Sequence, residues 1–137
     1  MKTTPILELT DVKAILAAAE AEASAHKWAV SIAVVDGGGH LLGFVRLDGA
    51  PASSAQLAPA KAVTAIMGQR ESKVYEDMIF NGRTAMLSAP GLPAMLEGGV
   101  PIVVNGEFVG AVGVSGVKSD EDAQIARAGI AVLSSRQ

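Results

Sequence analysis

The sequence predicts an α+β fold in which hairpins build an antiparallel sheet and helices flank it. Two observations carry this. The spacing of apolar residues switches between a helical and an alternating period along the chain. Two alternating segments are also closed by tight turns, at Asp36-Gly37-Gly38-Gly39 and at Asn105-Gly106. Strands joined as hairpins pair antiparallel, so the element order is helix, hairpin, helices, hairpin, helix.

Each element has its own justification. Thr10 is placed to cap a first helix, Asp11 suits its positive N-terminal end, and Val12, Ile15, Leu16, Ala19 and Ala23 form one stripe. That helix should end near His26 to Trp28. Val30, Ile32 and Val34 then alternate with Ser31, Ala33 and Val35, a strand packed on both faces. After the glycine turn, Leu41 to Leu47 is its partner. Ser53 with Gln56 resembles a capping box, but Pro59 suggests that regular helix runs only from Ala58 to Met67. A shorter helix spans Glu71 to Phe80 and stops at Asn81-Gly82. Leu87 to Pro93 is too rich in proline and glycine for either period, and a loop so apolar should be covered by a neighbour or a ligand. Gly99 to Val104, Asn105-Gly106 and Glu107 to Ser115 make a strand, a type I′ turn and a strand. Ser119 with Asp122 should cap a last helix facing inward through Ile125, Gly129, Val132 and Leu133.

Composition narrows the function. A chain of 137 residues fits one domain, taken as residues 1–137. The net charge of -3 and the absence of a clustered basic face argue against nucleic acid. There is no cysteine, which removes disulfides, thiolate metal sites and cysteine nucleophiles. No apolar run is long enough to cross a membrane and no leader pattern opens the chain, so a cytoplasmic protein is expected. Charged residues are only 18% of the chain and mean hydropathy is +0.37. Too few charges cover a monomer, and a homo-oligomer is the expectation.

The motifs exclude more than they assign. Gly37-Gly38-Gly39 lacks the third glycine of a dinucleotide fingerprint, because that position is Leu42, and a strand follows where a helix should start. Gly113-Val114-Ser115-Gly116 lacks the second glycine of a nucleophile elbow, since position 117 is Val. Glu22 with His26, and Asp36 with His40, each offer two metal ligands where a closed site needs more. His40 is a lone imidazole at a hairpin mouth. It reads either as a solvated turn residue or as a ligand contact, including an axial ligand to haem, for which His26, Tyr75 and the methionines compete. Arg46, Lys61, Arg70 and Arg83, with Glu97 before Gly98-Gly99, are either separate salt-bridge partners or the lining of a pocket for a small carboxylate.

One set of segments, taken in order, resembles the GlcG/HbpS family of small haem-associated proteins. It comprises Val30 to Asp36, Gly38-Gly39-His40-Leu41-Leu42, Arg46, Asp48, Lys61-Ala62, Thr64-Ala65, Gly68, Arg70-Glu71 and Asn81 to Ala85. Glu97-Gly98-Gly99-Val100-Pro101 and Gly110 to Gly116 complete it. The resemblance implies a profilin-like fold of three layers, α/β/α, with a fifth strand at Ile6 to Leu9 or near Thr84 to Leu87. It also implies dimers or larger oligomers and a link to glycolate utilisation. Where relatives often carry a basic residue this chain has Val63, which implies a weaker hold on an anion there.

Three functions follow as expectations. The first is a non-catalytic binding protein taking haem or a small organic anion near His40, Arg46, Lys61, Arg70 and Glu97-Gly98-Gly99. It would be accessory to glycolate utilisation, with glycolate-oxidation proteins as partners. The second is an enzyme acting on a small 2-hydroxy or 2-oxo acid, with His40 as general base and Arg46 or Arg70 holding the carboxylate. The third is a structural module that stabilises another subunit.

Overall fold

A computed structural model describes residues 1–136. In chain order they form α1 (Leu9–Ala25), β1 (Ser31–Asp36), β2 (Leu41–Arg46), α2 (Ser54–Gly68) and α3 (Lys73–Phe80). A 3-10 turn (Thr84–Ser88), β3 (Gly99–Val104), β4 (Glu107–Ser115), α4 (Ser119–Ala131) and a 3-10 turn (Val132–Arg136) follow. All strand pairs are antiparallel, in the order β2-β1-β4-β3.

The two faces of β1 explain the three layers. Val30, Ile32 and Val34 join Val112 and Val114 of β4 in one core, closed by Val12, Ile15, Ala19 and Ala23 of α1 and Ile125 and Ala126 of α4. On the other face Val35 and Ala111 pack on Ala62, Ala65 and Ile66 of α2. That second face is thin by sequence: a Cβ at Gly113 would lie 2.0 Å from the Ala58 carbonyl oxygen, and one at Gly99 would lie 2.1 Å from that of Lys61. Glycine at both positions lets the α2 backbone rest directly on the sheet.

The second hairpin matches expectation residue for residue, with Asn105 and Gly106 both at positive φ (51° and 77°) as a type I′ turn requires. Other boundaries differ. α1 begins at Leu9 and is capped at Glu8, whose N–H donates to the Asp11 carboxylate at 2.9 Å, so Thr10 is inside the helix. α2 starts four residues before Ala58 and carries Pro59 within it. The Ser54 hydroxyl anchors that early turn, bonded to the Pro51 carbonyl at 2.6 Å and to the Ser31 hydroxyl at 2.8 Å, deep in the core. α4 is capped at Lys118, one residue before Ser119. The fifth strand is absent among the described residues: Ile6 to Leu9 leads into α1, and Thr84–Ser88 is a 3-10 turn. No helix among the described residues is long and apolar enough to cross a membrane.

Candidate functional site

The β1–β2 turn is built by one carboxylate. Asp36 Oδ1 accepts the N–H groups of Gly38 and His40, each at 2.9 Å, while the Gly39 N–H donates to the Asp36 carbonyl at 3.0 Å. Gly39 adopts φ +83°, open only to glycine at low cost, and lies against Val63 and Ile66 of α2. These bonds, the His40 N–H first among them, hold Asp36 below its ordinary pKa. The turn presents His40 with its side chain 82% exposed and Nδ1 3.4 Å from Asp36 Oδ1. The carboxylate thus lies against one ring nitrogen, and a carboxylate so placed is a usual orienting partner of a metal-binding histidine. Around it β2 exposes Leu41, Leu42 and Phe44.

The other histidine is committed elsewhere. His26 stacks on Trp28 with ring centroids 4.3 Å apart and pairs with Glu22 at 3.3 Å. Tyr75 is buried, its hydroxyl against Gly68 and its ring 5.7 Å below the Arg70 guanidinium. Arg46 stands at the far end of β2 and donates from Nε and Nη2 to the Ala50 carbonyl, at 3.2 and 2.8 Å. Six residues of strand, about 20 Å, separate it from His40 within the chain.

Lys61 is internal. Its Nζ donates to the Val114 carbonyl at 3.1 Å and pairs with Asp122 at 3.2 Å, both side chains almost wholly buried. The Asp122 carboxylate also accepts the Val117 N–H at 3.2 Å. Burial pushes the Asp122 pKa up and the Lys61 charge pulls it back. Gly98, at φ +134°, leaves room for this ammonium, since a Cβ there would sit 2.9 Å from it. Gly99 donates to the Ser72 hydroxyl at 2.8 Å. Glu97, next in line, is half-buried, and desolvation raises its pKa, with Lys73 opposing and Glu76 adding. Lys61, Gly98 and Gly99 thus gather into one internal knot with Asp122. His40 and Arg46 occupy the two ends of the exposed β2 edge, and Arg83 is exposed beyond α3. Asp122, expected only as a capping residue, is the partner that the sequence did not reveal. A lysine inside the alanine stripe of α2 was the available signal.

The apolar loop meets α2 and α3 in an open groove of about 420 Å³, lined by Leu57, Ile79, Leu87, Leu92 and Met95 with Glu76 among them. Among the described residues no group of three or more His, Asp or Glu is arranged to hold a metal ion.

Helices on both faces of this antiparallel sheet make the molecule a profilin-like α+β protein. Residues 7–131 match the family model described as haem degrading protein HbpS-like. The chain belongs to that HbpS-like family. It is 52% identical over 115 residues to the protein GlcG of Escherichia coli K12, covering 84% of this chain and 85% of that one. A double mutant of the Streptomyces reticuli HbpS superposes with a TM-score of 0.86 at 34% identity, over 97% of this chain and 90% of the other. PduOC, solved as a complex with heme, superposes with a TM-score of 0.82 at 26% identity, over 93% and 94%.

Proposed function

We propose that this chain is a cytoplasmic, self-associating binding protein for haem or a small organic anion, accessory to glycolate utilisation, with His40 as the contact to haem iron. The observation that carries it is the exposed His40 imidazole held by Asp36. The donor set fits haem: an imidazole is its usual protein ligand, and Leu41, Leu42 and Phe44 offer apolar surface beside it for a macrocycle. Bound haem supplies a redox-active iron. The chain's own part is to orient His40 through Asp36 and to offer Arg46, three of whose five N–H donors are not used on Ala50, to a carboxylate. In this reading Lys61, Gly98 and Gly99 shape the framework, while Arg70 and Glu97 lie outside the contact set. The heme complex of PduOC supports the ligand class.

A hemin titration followed at the Soret band tests this, with His40→Ala and His26→Ala alongside. The expected result is saturable binding that His40→Ala abolishes and His26→Ala preserves. A non-saturating rise, identical in all three proteins, overturns it. The same His40–Asp36 pair also suits a general base acting on a 2-hydroxy acid. Turnover of such an acid that is lost in His40→Ala would favour that second reading.

A further inference from the structure

We infer that β2 is the seam of a two-fold dimer of this chain, and that His40 of one copy and Arg46 of the other form one composite ligand site. The composite site rests on the binding function proposed above; the seam does not.

The two edges of the sheet are built differently. Along β3, Ser72 donates its N–H to the Gly99 carbonyl at 3.0 Å and accepts the Gly99 N–H on its hydroxyl. Pro101, two residues on, has no N–H to offer. That edge is guarded. Along β2, the Leu47 N–H bonds to the Val30 carbonyl, which fixes the alternation from Gly43 to Leu47, and a register shift between Gly43 and Leu41 ends it before His40. The backbone groups of Phe44 and Arg46 therefore point away from β1, with no strand beyond them among the described residues. Neither proline nor lysine interrupts Leu41–Arg46. Leu41, Leu42 and Phe44 are 57%, 36% and 37% exposed on the same strand.

Charge selects a second copy as the occupant. Asp36 and His40 stand at one end of β2 and Arg46 at the other. Antiparallel self-pairing about a two-fold axis at Gly43 lays each end against its opposite, twice, by symmetry. Leu42 of each copy then faces Phe44 of the other beside the axis. His40 and Arg46, about 20 Å apart along one chain, come within about 5 Å across the seam, the spacing of neighbouring strands. An imidazole for iron and a guanidinium for a carboxylate are thus brought to one place only in the dimer.

Two measurements on the full chain test this. In sedimentation velocity, Phe44→Lys and Leu42→Lys should each halve the mass of the wild-type assembly without changing the far-ultraviolet circular dichroism. A monomeric wild type, or folded variants that keep the wild-type mass, overturns the seam. His40→Ala and Arg46→Ala are then refolded together in equal amounts and titrated at a hemin concentration that saturates wild type but neither variant. Half of the dimers are mixed and each has one intact site, so about a quarter of wild-type binding should return. No recovery overturns the composite site while the proposed function stands. A wild type that binds no hemin removes that function and the composite site together, and leaves the seam to the sedimentation result.

Discussion

Lys61 is the only buried cation among the described residues, and its place depends on what its neighbours lack. Gly98 has no side chain to occupy the space that the Lys61 stem crosses to reach Asp122, and Gly99 has none to push against the Lys61 backbone carbonyl. Truncating one member of such a pair leaves a buried charge without a partner. Lys61→Ala should therefore cost about 3–5 kcal/mol in urea unfolding, and Lys61→Met with Asp122→Leu should cost less than Lys61→Ala alone. Asp36 makes a prediction about pH. Its pKa is depressed in the folded state, so its contribution is present above the ordinary value of 3.8 and is lost as pH falls through the lower, folded value. In an acid titration followed by NMR, the Gly38 and His40 amide protons should shift together with a midpoint below 3.8. The sequence revealed Asp36 beside His40 because a four-residue spacing across a turn is local. It did not reveal the Lys61–Asp122 pair, because those residues are 61 apart and only the folded sheet brings them together.

Elements whose signals are local were legible in the same way. The β3–β4 hairpin was readable because Asn105-Gly106 dictates both the turn and the register. The start of α2 was not, because a hydroxyl contact with Ser31, on another element, decides it against Pro59. Among the described residues no fifth strand forms near Thr84, where the chain instead winds into a 3-10 turn packed against α3. At this scale the closeness of α2 to β4 is the most exposed claim. Gly113→Ala would push a methyl group into the Ala58 carbonyl, and backbone cannot yield as a side-chain tip can. A loss of about 3 kcal/mol is expected by denaturant titration, against a small change for Gly37→Ala, where φ is not left-handed and the nearest atoms would lie 3.9 Å from the new methyl group.

For the whole molecule, a charged fraction of 18% sets the expectation of covered surface without saying which surface. The candidate site was legible as a set of residue types and not as an arrangement, because the fold sets His40 and Arg46 at opposite ends of one strand and turns Lys61 into the interior. If folding and pairing are linked, the apparent melting temperature should rise with protein concentration in wild type and be independent of it in Phe44→Lys. Pro101 then takes on a meaning beyond its own strand. A sheet with two open borders grows without limit, whereas one with a single open border stops at two copies. Pro101→Val would lift part of that stop, and the substituted protein should scatter light as ribbons lengthen, while wild type remains clear. With β2 as the seam, one proline on the far side of the sheet would separate a finite particle from a fibre.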